Sequence, residues 1–186
     1  MLSVPDGTVT LAIVGEIIAA TDRRADVVVD LSTIGPVAAR RAATLLAPVG
    51  ITYCDGPVSG GVAGAEAATI AFMFGGPAAV LDEHRPLFEA LAGHVFHVGD
   101  EAGHGQAMKL VNNMLSAAGT LAAMEVLVVG AKAGLDPQKM LDVINASSGR
   151  CFGTEVKIPE CVLPGTFPMR FSTDLLHKDV ALGVAD

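Results

Sequence analysis

Residues 27–31, Val-Val-Val-Asp-Leu, form a short β-branched run that ends in an acid and then Ser32 and Thr33. Such a run predicts a strand covered on both faces, with polar groups gathered at its carboxyl end. Pro36 then opens a helix over about 36–46, and 51–55, Ile-Thr-Tyr-Cys-Asp, reads as the next strand. Strand, helix, strand is a βαβ unit, which brings the two strands together in parallel. Two further strands are predicted over 69–74 and 94–98, with a helix over about 77–91 between them, and residues 1–5 enter as the tail of a strand. The first hundred residues therefore read as α/β.

After Gly99 the alternation stops. A helix is predicted over about 105–133, a second from Asp136-Pro137, an N-cap followed by proline at the first helical position, and a third from about 171 to the end. This change of pattern predicts two domains, 1–100 and 101–186, with the long helix carrying the chain across the boundary. The most apolar stretch, 110–131, is long enough to raise the question of a membrane span. It carries Asn112, Asn113 and Glu125 and lacks flanking basic clusters, so a buried helix of a soluble protein is the reading it favours. Met108, Met114 and Met124 are spaced as core residues along it.

A chain of 186 residues that is 51% hydrophobic can bury a substantial core. A net charge of −8 with only 12 Lys and Arg argues against nucleic-acid or anionic-membrane partners, which require clustered positive charge. Cys54, Cys151 and Cys161 are an odd number without a C-x-x-C pair, and Met1 is followed almost at once by Pro5, Asp6 and Gly7. Reduced thiols and the lack of a secretory pattern point to the cytoplasm. No metal site is predicted, since His94 and His97, three apart on a strand, face opposite ways.

The segment 103–113, Gly-His-Gly-Gln-Ala-Met-Lys-Leu-Val-Asn-Asn, carries the clearest chemistry. Lys109 and Asn113 lie four apart and share one helix face, and the positive end of the helix dipole disfavours a charged lysine near it. A lysine so placed can act as a proton shuttle, although alone the segment is also an ordinary glycine-flanked helix start. At 55–61, Asp-Gly-Pro-Val-Ser-Gly-Gly, glycines around Ser59 expose backbone N–H groups and a hydroxyl after a strand, which suits a carboxylate or phosphate. A tight turn is the competing reading, and Ser59 lacks the flanks of a hydrolase nucleophile. Lys178-Asp179 alone reads as a solvated pair, and His104 and Arg150 read at least as well as capping or helix-end residues as chemical ones.

In order along the chain, D-L-S-T-x-x-P at Asp30 to Pro36, D-x-P-V-S-G-G at Asp55 to Gly61, G-x-G-x-x-x-K-x-x-N-N at Gly103 to Asn113 and F-x-x-x-L-x-x-K-D at Phe171 to Asp179 resemble the β-hydroxyacid dehydrogenases. The stretch 145–151, Asn-Ala-Ser-Ser-Gly-Arg-Cys, draws the resemblance toward 3-hydroxyisobutyrate dehydrogenase. The resemblance implies a partial Rossmann-type parallel sheet followed by an all-helical domain. It implies NAD- or NADP-dependent oxidation of a 3-hydroxy carboxylic acid to its semialdehyde, or the reverse. Lys109 would then be the general acid/base and Asn113 would orient the hydroxyl. Ser59, Gly60 and Gly61 would hold the substrate carboxylate, Thr33 would touch the cofactor ribose, and Lys178 would stand near the nicotinamide. Separately, the apolar helices of the second domain are too hydrophobic to remain solvated, which predicts a homo-oligomer.

The family's glycine-rich first βα turn, which binds the pyrophosphate, has no counterpart in this sequence. The resemblance thus starts at the family's fourth strand, the chain reads as shortened at both ends, and the residue that selects NAD or NADP is not legible. The rival expectations are a reductase for a related semialdehyde (tartronate or succinic) and a truncated scaffold without activity.

Overall fold

The computed structural model describes residues 1–185. The chain forms two compact units, Met1–Val111 joined by residues 181–185, and Asn112–Val180. The first unit is built on a sheet. Strands β1 (Val27–Asp30) and β2 (Thr52–Asp55) pair in parallel with Asp30 opposite Asp55, so two carboxylates arrive together at the carboxyl ends. Leu2 adds a parallel bridge beside Asp30, the strand tail predicted for the first residues.

Two helices precede and follow β1: α1 (Gly7–Ala19) and α2 (Pro36–Leu46). They cover one sheet face, where Val14, Ala39, Ala42 and Leu46 pack with Val28 and Tyr53. The alternation along each strand turns Val29 and Cys54 to the opposite face. There they meet Phe72 and Phe74 of β4 (Ala71–Gly75) and Leu81 and Phe88 of α4 (Ala78–Leu91). The Phe72 and Phe88 rings stack at 4.9 Å between centroids, a spacing that favours offset aromatic pairs.

The sheet is mixed, with the expected parallel pairing of β1 and β2 and antiparallel pairings onto β4. A two-residue strand β3 (Val58–Ser59) and the end of β2 both pair antiparallel with β4. The link from β3 to β4 holds only the short helix α3 (Gly61–Glu66). A parallel return needs a crossover of a dozen or more residues, and this link is too short for one. The longer connection through α4 does support it, and β5 (His94–Gly99) pairs parallel with β4.

The second unit is helical. Most of α5 (His104–Lys132) runs through it, followed by α6 (Pro137–Asn145), a π-helix (Gly153–Val162) and the start of α7 (Thr173–Ala185). Asp136 caps α6 by accepting from the Lys139 N–H at 2.9 Å, with Pro137 at the first helical position, as its sequence predicts. The core of this unit is Ala123, Leu127, Leu141 and Ile158. The expectation that 110–131 would be a buried helix is not met within one chain. Leu115 is 74% exposed and Val129 68%, and Met108 also faces outward, because one helix and the π-helix cover only part of the circumference of α5. By length and composition, α5 is the one described helix able to cross a membrane.

The aromatic cluster sets the stability of the first unit. Phe88→Ala should cost about 3–5 kcal/mol in urea unfolding, whereas Asp6→Ala, which removes the side chain capping Thr8 and Val9 of α1, should cost about 1 kcal/mol. Equal losses would show that the ring cluster is not the centre of the core.

Candidate active site

The carboxyl ends of β1 and β2 carry the site of the first unit. Asp30 is fully buried and accepts hydrogen bonds from the Thr10 hydroxyl (2.9 Å), the Tyr53 hydroxyl (3.1 Å) and the Ser32 N–H (2.9 Å). Burial pushes the Tyr53 phenol up strongly, with the Asp30 charge adding to the effect, so Tyr53 stays a neutral donor. Asp30 thereby ties α1 to the sheet and sets the first turn of the loop 31–35. Within that loop Thr33 is half-buried between the buried Ser32 and Ile34.

Asp55, the register partner of Asp30, meets the start of α5. Its two oxygens accept the N–H groups of Gly103 and Gln106, both at 2.6 Å. Helix starts carry N–H groups with no intrahelical partner and a partial positive charge, and here a carboxylate from a neighbouring strand satisfies two of them. Burial lifts the Asp55 carboxyl to about 6, against the downward pull of those N–H donors and of His104. At neutral pH it is therefore charged. The glycines serve this seat: a Cβ at Gly105 would strike the Met73 carbonyl oxygen, and one at Gly75 would meet the Gly105 nitrogen at 2.5 Å. At Gly105 the close approach that sequence assigned to backbone or ligand is an approach of backbone.

Gln106 is fully buried and reaches from α5 to the loop 31–35. Its Oε1 accepts from the Ile34 N–H (2.8 Å) and the Gly35 N–H (3.2 Å), and its Nε2 donates to the Ser32 carbonyl at 2.8 Å. Lys109 follows three residues later and is 8% exposed. It stands on the second helical turn, and Asp55 occupies the positive end of the helix. The dipole effect fades within the first turn, so it does not bear on Lys109 as the sequence suggested.

Ser59 closes β3, and the chain turns there through Gly60 (φ 138°) and Gly61 (φ 64°) into α3. Only glycine takes these angles without strain. Ser59 is half-buried and both glycines are exposed, which places this turn where a ligand can reach it. Cys54, behind them, is pushed up to about 12 by burial and the Asp55 charge, so it is an inert thiol.

In the second unit Asn113 is buried and its Nδ2 donates to Asp179 Oδ2 at 2.7 Å, while the Asn112 amide donates to Asn113 Oδ1 at 3.2 Å. Lys178 Nζ lies 3.3 Å from Asp179 Oδ1. The solvated Lys178–Asp179 pair read from the sequence alone is corrected here: Asp179 is 3% exposed, and the asparagine that holds it is the one predicted to be functional. Among the site residues, Asp55, Gln106 and Asp179 were not singled out by sequence reasoning. Each stands inside a motif, Asp55 four residues before Ser59, Gln106 three before Lys109 and Asp179 directly after Lys178. Arg150 lies exposed beyond α6, and His104 is exposed at the first position of α5.

Comparison with known proteins extends this picture. Residues 1–99 match the family model described as the NAD binding domain of 6-phosphogluconate dehydrogenase, and residues 103–185 match the NAD-binding model of NADP-dependent 3-hydroxyisobutyrate dehydrogenase. The chain is 40% identical to 2-(hydroxymethyl)glutarate dehydrogenase of Eubacterium barkeri, over 85% of this chain and 52% of that protein. It is 39% identical to a probable 3-hydroxyisobutyrate dehydrogenase of Mycobacterium tuberculosis, over 97% of this chain and 63% of that protein. A solved structure of Mycobacterium tuberculosis 3-hydroxyisobutyrate dehydrogenase with L-serine superposes with a TM-score of 0.86 at 38% identity, covering 98% of this chain and 64% of that one. The chain thus spans between half and two thirds of the length of these relatives. Both units match NAD-binding dehydrogenase models, and the buried Lys109 and the Asn113–Asp179 pair fall within the second of the matched segments; the chain belongs to the β-hydroxyacid dehydrogenases.

Proposed function

We propose that this chain takes part in the NAD(P)-dependent oxidation of a small 3-hydroxy carboxylic acid, of the 3-hydroxyisobutyrate type, to its semialdehyde, and in the reverse reduction. The observation that carries the reading is a lysine with 8% exposure on a helix whose start is bonded to the ends of two strands. A neutral amine is what a base at a hydroxyl must be.

In the oxidation, Lys109 Nζ takes the hydroxyl proton as the carbinol carbon gives up its hydride; in the reduction it returns that proton to the forming alkoxide. The nicotinamide, when bound, supplies the two-electron acceptor or donor. Asn113 orients the hydroxyl from one turn further along α5, with its carboxamide fixed by Asp179. Ser59 and the N–H groups of Gly60 and Gly61 receive the substrate carboxylate. Thr33 and Lys178 are assigned to the cofactor. The half-exposed Thr33, on a loop pinned at Ser32, Ile34 and Gly35, fits the edge of a dinucleotide. L-Serine, present with the Mycobacterium tuberculosis structure, is itself a 3-hydroxy carboxylic acid and supports the substrate class. Tartronate and succinic semialdehydes are the competing substrates.

The exposed face of α5 supports a homo-oligomer. Val111, Leu115, Leu121, Val126, Val128 and Val129 leave more apolar surface than a solvated helix carries, while Asn112, Asn113 and Glu125 along the same helix oppose a lipid setting.

Absorbance at 340 nm with 3-hydroxyisobutyrate, L-serine and either NAD⁺ or NADP⁺ tests the reaction. Turnover should fall by about 10²–10⁴-fold in Lys109→Ala. Undiminished turnover in that variant would remove Lys109 as the base, and no turnover with any pair would favour the scaffold reading. Light scattering without detergent should give at least twice the monomer mass. A detergent-dependent monomer would instead point α5 at lipid.

A further inference from the structure

We infer that Gln106 is a positioning residue that registers Lys109 against the loop 31–35, so that the group touching the cofactor and the group moving the proton are set by one buried carboxamide. The inference rests on the reading just given for Lys109 and Thr33.

Gln106 is buried completely, and its side chain uses both acceptor sites of Oε1 and one donor of Nε2 on three main-chain groups of that loop. Its own N–H goes to Asp55. One residue therefore fastens the end of β1 and the end of β2 to the first helical turn of α5. A core filler would need none of these bonds, and a leucine or methionine would serve as well. A buried carboxamide is stable only where each partner is met, so it specifies one placement of the loop and the helix. Lys109 is three residues on, on the adjoining face of the same helix. A shift of about 1 Å at the loop would reach its amine through that helix, and misplacement of that size costs about 10²-fold in rate.

The test compares Gln106→Met, which keeps the length and removes the three bonds, and Gln106→Glu, which keeps the acceptor and loses the donor at neutral pH. Thr154→Val is the control, because Thr154 is as deeply buried and its hydroxyl bonds the Cys151 backbone rather than the loop 31–35 or α5. Amide exchange protection, corrected for the intrinsic rate, is read at Ile34, Gly35 and residues 107–110, together with turnover per folded molecule.

Gln106→Met should lose at least tenfold protection at the loop and in the turn of Lys109 together, and turnover should fall by at least tenfold with a smaller change in KM. Thr154→Val should show neither effect. Gln106→Glu should lose less protection at Ile34 and Gly35 than Gln106→Met, because its carboxylate still accepts those two N–H groups and only the bond to the Ser32 carbonyl is removed. Loss of protection in the loop alone, or unchanged turnover in Gln106→Met where the wild-type chain is active, would overturn the inference. If the wild-type chain is inactive, the functional reading falls separately. Joint loss of protection in both segments would then still sustain the coupling, and independent loss would end it.

Discussion

Everything chemical in the first unit depends on the seating of one helix end on two strand ends. A helix start presents unpaired N–H groups and a positive partial charge, and burying it without partners is costly. Asp55 answers the first turn with two short bonds, and Gln106 extends from there to the loop after β1. Because both strands end at the same level, with Asp30 opposite Asp55, the two contacts fall within reach of a single helical turn. The glycines at 75 and 105 remove the side chains that would keep helix and sheet apart.

The electrostatics of the seat follow from competition between burial and hydrogen bonding. Desolvation raises the Asp55 carboxyl, the Gly103 and Gln106 N–H groups lower it, and burial prevails at a value of about 6. A folded-state value above the ordinary one means that the native chain holds the proton more tightly than the unfolded chain. The stability contributed by this group is thus fullest below about pH 4 and is lost as pH rises through about 6. The carboxylate is kept charged at neutral pH for the placement it gives to α5.

The strands and most helices were legible because each carries a strong local signal. The valine run at 27–29, the Asp136-Pro137 start and the turn residues at 56–61 leave little choice of element. Helix α1 escaped because Thr8, Val9, Thr10, Ile13 and Val14 are β-branched, which lowers helix propensity, and the segment is apolar on every side; its Asp6 cap was the available clue. The π-helix has no sequence signature of its own. Gly153 lies against Thr120, where a Cβ would meet backbone at 2.7 Å, and Pro159 offers no N–H to a tighter ladder. Lys109, Asn113 and Ser59 were legible as types at meaningful spacing. Asp179 and Gln106 were not, because their importance lies in burial and in partners 66 and 71 to 74 residues distant.

The seat of α5 depends on a dry, paired carboxylate at its foot. Titration of the Asp55 side-chain carboxyl by carbon-13 NMR, in the folded chain and in denaturant, measures it directly. A folded midpoint near pH 6 against an ordinary value of about 4 in the unfolded chain is the predicted result. A folded midpoint at or below the unfolded one would contradict it, because burial would then not govern the group that seats the helix.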